Sequence, residues 1–141
     1  MKRAAFYDVD GTIVSSNVLH PYAYYAASAP TLSGKLGRLL KLGASLPVYA
    51  LAERKGRKLF NDMFYQNYRG LSEDRLHILG QEIFEQLLKG KIFSEMQTLM
   101  RESKAAGVKQ VLITGNLDTV IKPLAEYLGV DDWAANRLEF D

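Results

Sequence analysis

Two carboxylates, Asp8 and Asp10, close the apolar run of FYDVDGTIV, Phe6 to Val14. Like charges this close disfavour each other's ionisation, so a purely structural reason for the pair is awkward. Chemistry supplies one. A carboxylate can attack phosphorus and form an aspartyl-phosphate, which splits one hydrolysis into two easier displacements. A second carboxyl two residues on, on the same side of the chain end, can protonate the leaving alcohol and then serve as base for the attacking water. Such a reaction gathers negative charge, and magnesium, which suits an all-oxygen site and keeps several waters, would offset it. Gly11 permits a tight turn and the approach of amide hydrogens to a phosphate. Thr12 could hydrogen-bond within that turn and hold the second carboxyl.

A second polar turn follows the apolar run KQVLIT. If Thr114 opens a helix, its hydroxyl and the amides of Gly115 and Asn116 can hold a phosphoryl oxygen. An ordinary helix cap is the plainer alternative, and phosphate binding is preferred because this turn must face Asp8. Lys122 reads as a surface residue and His77 as part of a helix. His20, before Pro21, reads first as a helix-end residue, with substrate contact as its functional alternative. Arg69 in YRG is a surface arginine or one that reaches an anionic substrate. Tyr22, Tyr24 and Tyr25 either pack a core or line a pocket.

Residues 3–9 predict a short buried strand ending at the carboxylates. Leu76, Leu79, Ile83 and Leu87 recur at helical spacing, so residues 73–88 predict an amphipathic helix ended by Gly90. The next helix has Met96, Leu99 and Met100 on one face, Ser94 as its cap and Gly107 as its stop. Lys109 to Asn116 predicts a second buried strand. DTVIKPLAEYLG is a helix with Ile121, Leu124, Ala125 and Leu128 inward, Gly129 as terminator, and Pro123 either kinking it or delaying its regular part to about Val120. WAANRLEF is a candidate third strand. The outer segments thus alternate strand and helix, which implies an α/β fold with parallel strands and crossover helices. Ligands bind such sheets beyond the carboxyl ends of the strands. The two polar turns meet there if their strands are neighbours.

At 141 residues the chain suits one domain with a modest core. It has no cysteine, which excludes disulfides and thiolate metal sites, and two histidines make a histidine-built metal site unfavourable. Asp8 interrupts the first apolar run too early for a signal peptide after Lys2 and Arg3. Leu42 to Ala52 is too short to span a bilayer and contains Pro47. A cytoplasmic protein is the default expectation. The net charge of +2 is uneven: residues 31–60 hold seven basic residues and one acid, so that stretch carries +6 and the remainder −4. Such a patch attracts phosphate, anionic lipid or nucleic acid. A solvated helical face is its ordinary reading, and no nucleic-acid partner is expected.

DVDGT after an apolar strand resembles the first signature of the haloacid dehalogenase (HAD) superfamily of phosphohydrolases, and VLITGN resembles the second. The interval, with its helical insertion, and the stretches YRGLSEDRL and PLAEYLGVDDWAANRLEFD resemble the phosphoserine-phosphatase-like branch, subfamily IB. The resemblance implies a Rossmann-like parallel sheet formed by residues 1–16 and 90–141, with residues 17–89 as an inserted α-helical cap. It implies a magnesium-dependent phosphatase acting on a small phosphorylated metabolite. Asp8 would be nucleophile and magnesium ligand. Asp10 would be general acid/base with its backbone carbonyl on the metal, and Thr114 would bind the transferring phosphoryl group. The family's third motif, a lysine, and its fourth, one or two acids, belong beyond the strand that WAANRLEF resembles. The expectation is therefore a truncated HAD core, with weak magnesium binding and little turnover from residues 1–141 alone. Relatives joined to acyltransferase domains of lipid synthesis leave an alternative: a binding domain whose basic cap meets anionic lipid or a protein partner.

Overall fold

The computed structural model describes residues 3–140. Strand β1 (Ala4–Asp8) leads into a loop and then a long helical stretch: α1 (Leu19–Ala27), α2 (Leu32–Lys55), α3 (Arg57–Phe64) and α4 (Glu73–Ile83). Helix α5 (Ser94–Ala105), strand β2 (Lys109–Leu117), helix α6 (Asp118–Leu128) and strand β3 (Asp132–Asn136) complete it. The sheet order is β1-β2-β3, all parallel. Asp8 lies opposite Ile113, so the end of β1 sits beside Thr114 on β2. The third strand stops at Asn136, short of the 133–140 span expected from the sequence.

Both strand-to-strand steps run in the same direction across the sheet. Right-handed crossovers then place α5 and α6 on one face. Gln110 and Leu112 point to that face and are buried, and the Gln110 amide donates to the Met100 carbonyl of α5 at 2.7 Å. The other face is open: Phe6 is 65% and Ile113 49% exposed. This corrects the expectation of a buried strand at residues 3–9.

Helix α4 begins at a serine cap, with Ser72 Oγ accepting from the Arg75 amide at 3.3 Å. The helix does not end at Gly90 with its α-period intact. A π-turn at Phe84–Leu88 adds one residue to the register, so Leu88 is fully buried and the predicted Leu87 is only half-buried. Ser94 is not a cap: it lies inside α5, and its hydroxyl donates to Glu95. Leu99 faces solvent, leaving Met100 as the buried residue of that helix.

Helix α6 is regular from Asp118, not from Val120, despite Pro123. Proline has no amide hydrogen to give the Thr119 carbonyl four residues earlier. Gly80 of α4 packs against that same carbonyl, so close that a Cβ at residue 80 would lie 1.9 Å from the oxygen. Part of the 17–89 segment thus rests directly on α6. The rest is organised by an aromatic cluster: Phe64 stacks on Phe60 at 5.4 Å and meets Tyr22, Tyr49 and Tyr65 edge-on at 5.7, 5.5 and 5.3 Å. Tyr22 belongs to this core, while Tyr24 and Tyr25 are partly buried against it.

Candidate active site

The loop after β1 folds back on Val9. Its carbonyl accepts from the amides of Thr12, Ile13 and Val14, and the Gly11 amide donates to Val14. Gly11 takes φ 75°, a left-handed conformation that favours glycine. The amides of Gly11 and Thr12 are therefore engaged inside the loop rather than turned toward a ligand. Asp8 is exposed and Asp10 is half-buried at the mouth of the sheet.

Thr12 does not hold the second carboxyl; the neighbouring strand does. Asn116 Nδ2 donates to both oxygens of Asp10 at 3.1 and 3.3 Å, and the Thr114 hydroxyl approaches the carboxylate at 3.4 Å. Thr114 does not open a helix, because β2 stays extended to Leu117. Its Oγ1 instead accepts from the Asn116 amide at 3.0 Å, which fixes the turn and occupies that amide. Asn116 is itself almost wholly buried. The strand tips thus bring Asp8, Asp10, Thr114, Gly115 and Asn116 together.

Burial raises the Asp10 pKa from its ordinary 3.8 to about 6, and the charge of Asp8 adds to the rise. Hydrogen bonds from Asn116 and Thr114 and the positive charge of Arg57 oppose it. A carboxyl tuned near neutrality can both give and accept a proton.

Three residues at the site carry no local motif in the sequence. Arg57, first residue of α3, lays its guanidinium over Gly115, where a Cβ would come within 3.2 Å of Nη2. The same arginine pairs with Glu53. Tyr65 donates its hydroxyl to the Gly115 carbonyl, which also accepts from Asn136 Nδ2 at 2.7 Å. Burial pushes the Tyr65 phenol up to about 12, so it stays a donor. Arg57 was visible only as part of a basic stretch, and Asn136 only as part of a strand.

Neither His20 nor Arg69 hydrogen-bonds to the acid pair. His20 Nδ1 accepts from the Asn17 amide at 3.3 Å and contacts Ser16 Oγ at 3.0 Å, at the start of α1. Burial and the charge of Lys91 lower its pKa. Arg69 is exposed on an open cavity of about 940 Å³ lined by Tyr65, Tyr68, Asn136 and Phe140, among others, and by neither Asp8 nor Asp10. His77 sits on the surface, 3.8 Å from Glu73.

Among the described residues, no group of three or more acids and histidines gathers as a metal set. The donors at the strand tip are nonetheless hard oxygens. Magnesium commonly takes one or two carboxylates and fills its shell with water and substrate phosphate. Asp8 and Asp10 fit that pattern, with Asp8 the more accessible.

No curated protein matches the chain. Among solved structures, a protein of unknown function from Bordetella pertussis Tohama I superposes with a TM-score of 0.84 at 17% identity, covering 100% of this chain and 63% of its own. A phosphoserine phosphohydrolase-like protein from Francisella tularensis subsp. tularensis SCHU S4 superposes with a TM-score of 0.66 at 17% identity, covering 100% of this chain and 61% of its own. The chain therefore spans about three fifths of either structure, and at this identity the likeness is one of fold. The family model of the haloacid dehalogenase-like hydrolases matches residues 5–141, and with the acid pair at the tip of a parallel α/β sheet this chain belongs to that family.

Proposed function

We propose that the protein hydrolyses phosphomonoesters of a small metabolite through a phosphoryl group carried on Asp8. One observation carries the reading: two sequence-distant strand ends converge so that Asp10 is gripped by Thr114 and Asn116 while Asp8 stays open. An Asp8 oxygen attacks phosphorus and the bond to the leaving oxygen breaks. Asp10 gives its proton to that oxygen, releasing the alcohol. Water then attacks the aspartyl-phosphate, Asp10 takes its proton, and the cleaved acyl-phosphate linkage returns Asp8 and free phosphate. Arg57, over Gly115, supplies positive charge toward the phosphoryl oxygens. Magnesium bound at Asp8 and Asp10 would neutralise charge on the phosphate and the acid pair. The fold shared with a phosphoserine phosphohydrolase-like protein supports this reading and makes an amino-acid phosphate a reasonable first substrate to assay.

Borohydride trapping tests it. Tritiated borohydride added to the protein with magnesium and p-nitrophenyl phosphate should reduce the acyl-phosphate carbonyl of Asp8, expel phosphate and leave tritium in a primary alcohol at residue 8, and Asp8→Asn should carry none while keeping its circular dichroism. A label on any other side chain would overturn the assignment.

A further inference from the structure

Helix α2 presents a face that a water-soluble helix would normally avoid. Its inward side holds Tyr49 and Ala52, both buried. Successive residues sit about 100° apart around the axis, which gathers Leu32, Leu36, Leu40 and Leu51 on the side away from Tyr49. Leu32 is 82%, Leu36 57%, Leu40 63% and Leu51 58% exposed. Lys35 and Lys41 flank this stripe, and Arg54 and Lys55 close the helix.

We propose that this face docks on an anionic lipid surface, with α2 lying in the membrane interface. The arrangement is that of an interfacial helix, whose apolar stripe enters the headgroup boundary while flanking bases meet acidic lipid. Charge selects this occupant over a second copy of the chain. Helix α2 itself carries five bases against one acid, so two copies meeting through α2 would bring like charges together. No described helix is long and apolar enough to cross a membrane, which matches a helix that lies on the surface. This inference stands apart from the catalytic reading, because none of the lipid-facing residues belongs to the site.

Co-sedimentation with vesicles tests it. The protein should bind phosphatidylcholine vesicles containing phosphatidylserine, bind pure phosphatidylcholine far less, and dissociate as salt rises. Leu36→Asn with Leu40→Asn should lower partitioning by at least tenfold, and Lys35→Gln and Lys41→Gln by about fivefold each. Phe6→Ser, on the open sheet face, should change nothing. The lysine variants carry the test if the leucine pair fails to fold. Vesicle binding indifferent to all four α2 substitutions overturns the proposal. So does self-association through α2, or capture of a protein partner there, with no vesicle binding.

Discussion

Asn116 reaches both carboxylate oxygens of Asp10 from a single amide nitrogen, at 3.1 and 3.3 Å. This bond favours the ionised acid, against burial and against Asp8. Asn116→Ala should therefore raise the Asp10 pKa above about 6, and Asp8→Asn should lower it. Carbon-13 NMR titration of the Asp10 carboxyl reads both. Between the ordinary 3.8 and the folded value near 6, the folded state binds more protons than the unfolded one. Stability from this group thus falls as pH rises through that window, and Asp10→Asn should flatten the slope in urea melts at matched pH.

On the proposed mechanism the same proton sets the rate. Hydrolysis of an alkyl phosphate, whose leaving oxygen needs protonation, should slow as pH rises through about 6. An aryl phosphate with a good leaving group should show a weaker dependence. Parallel pH profiles for the two esters check this.

Arg57 is surface-exposed and its pairing with Glu53 contributes little stability. Arg57→Gln should leave the melting temperature nearly unchanged. It should weaken competitive inhibition by inorganic phosphate about tenfold, the worth of one hydrogen bond to a charged group, and raise the Asp10 pKa. Inhibition kinetics at fixed pH reads the first effect.

Gly80 must remain without a side chain. Gly80→Ala forces a methyl into the Thr119 carbonyl and should cost about 1–3 kcal/mol by overpacking. Gly37, in α2 with nothing near its would-be Cβ, is the control. Gly37→Ala should stabilise by about 0.5–1 kcal/mol. Urea denaturation of both variants separates packing from helix propensity.

Tyr65→Phe and Asn136→Ala each remove one donor from the Gly115 carbonyl. Either alone should cost about 1 kcal/mol. The double variant should cost more than the sum, because only then is the carbonyl left without either partner. A double-mutant cycle by denaturation checks the sign.

The placement of Asp8 and Asp10 at a strand tip was legible because the apolar run ends at them. Thr114 was legible because parallel strands align their ends. Arg57, Tyr65 and Asn136 were not, because tertiary packing carries them to the site without a local pattern. The Phe64 cluster positions Tyr65, and the end of β3 positions Asn136. Periodicity failed at Leu87 because a π-turn departs from the α-period it assumes. It failed at Phe6 because a short apolar run reads alike whether one face or two are covered.

The carbonyl of Gly115 joins three stretches of chain that lie far apart in sequence, at residues 65, 115 and 136. Local opening of the helical stretch and fraying of the last strand both begin by breaking a bond to that one oxygen. Amide exchange around Tyr65 and around Asn136 should therefore be coupled, with Tyr65→Phe speeding exchange at both.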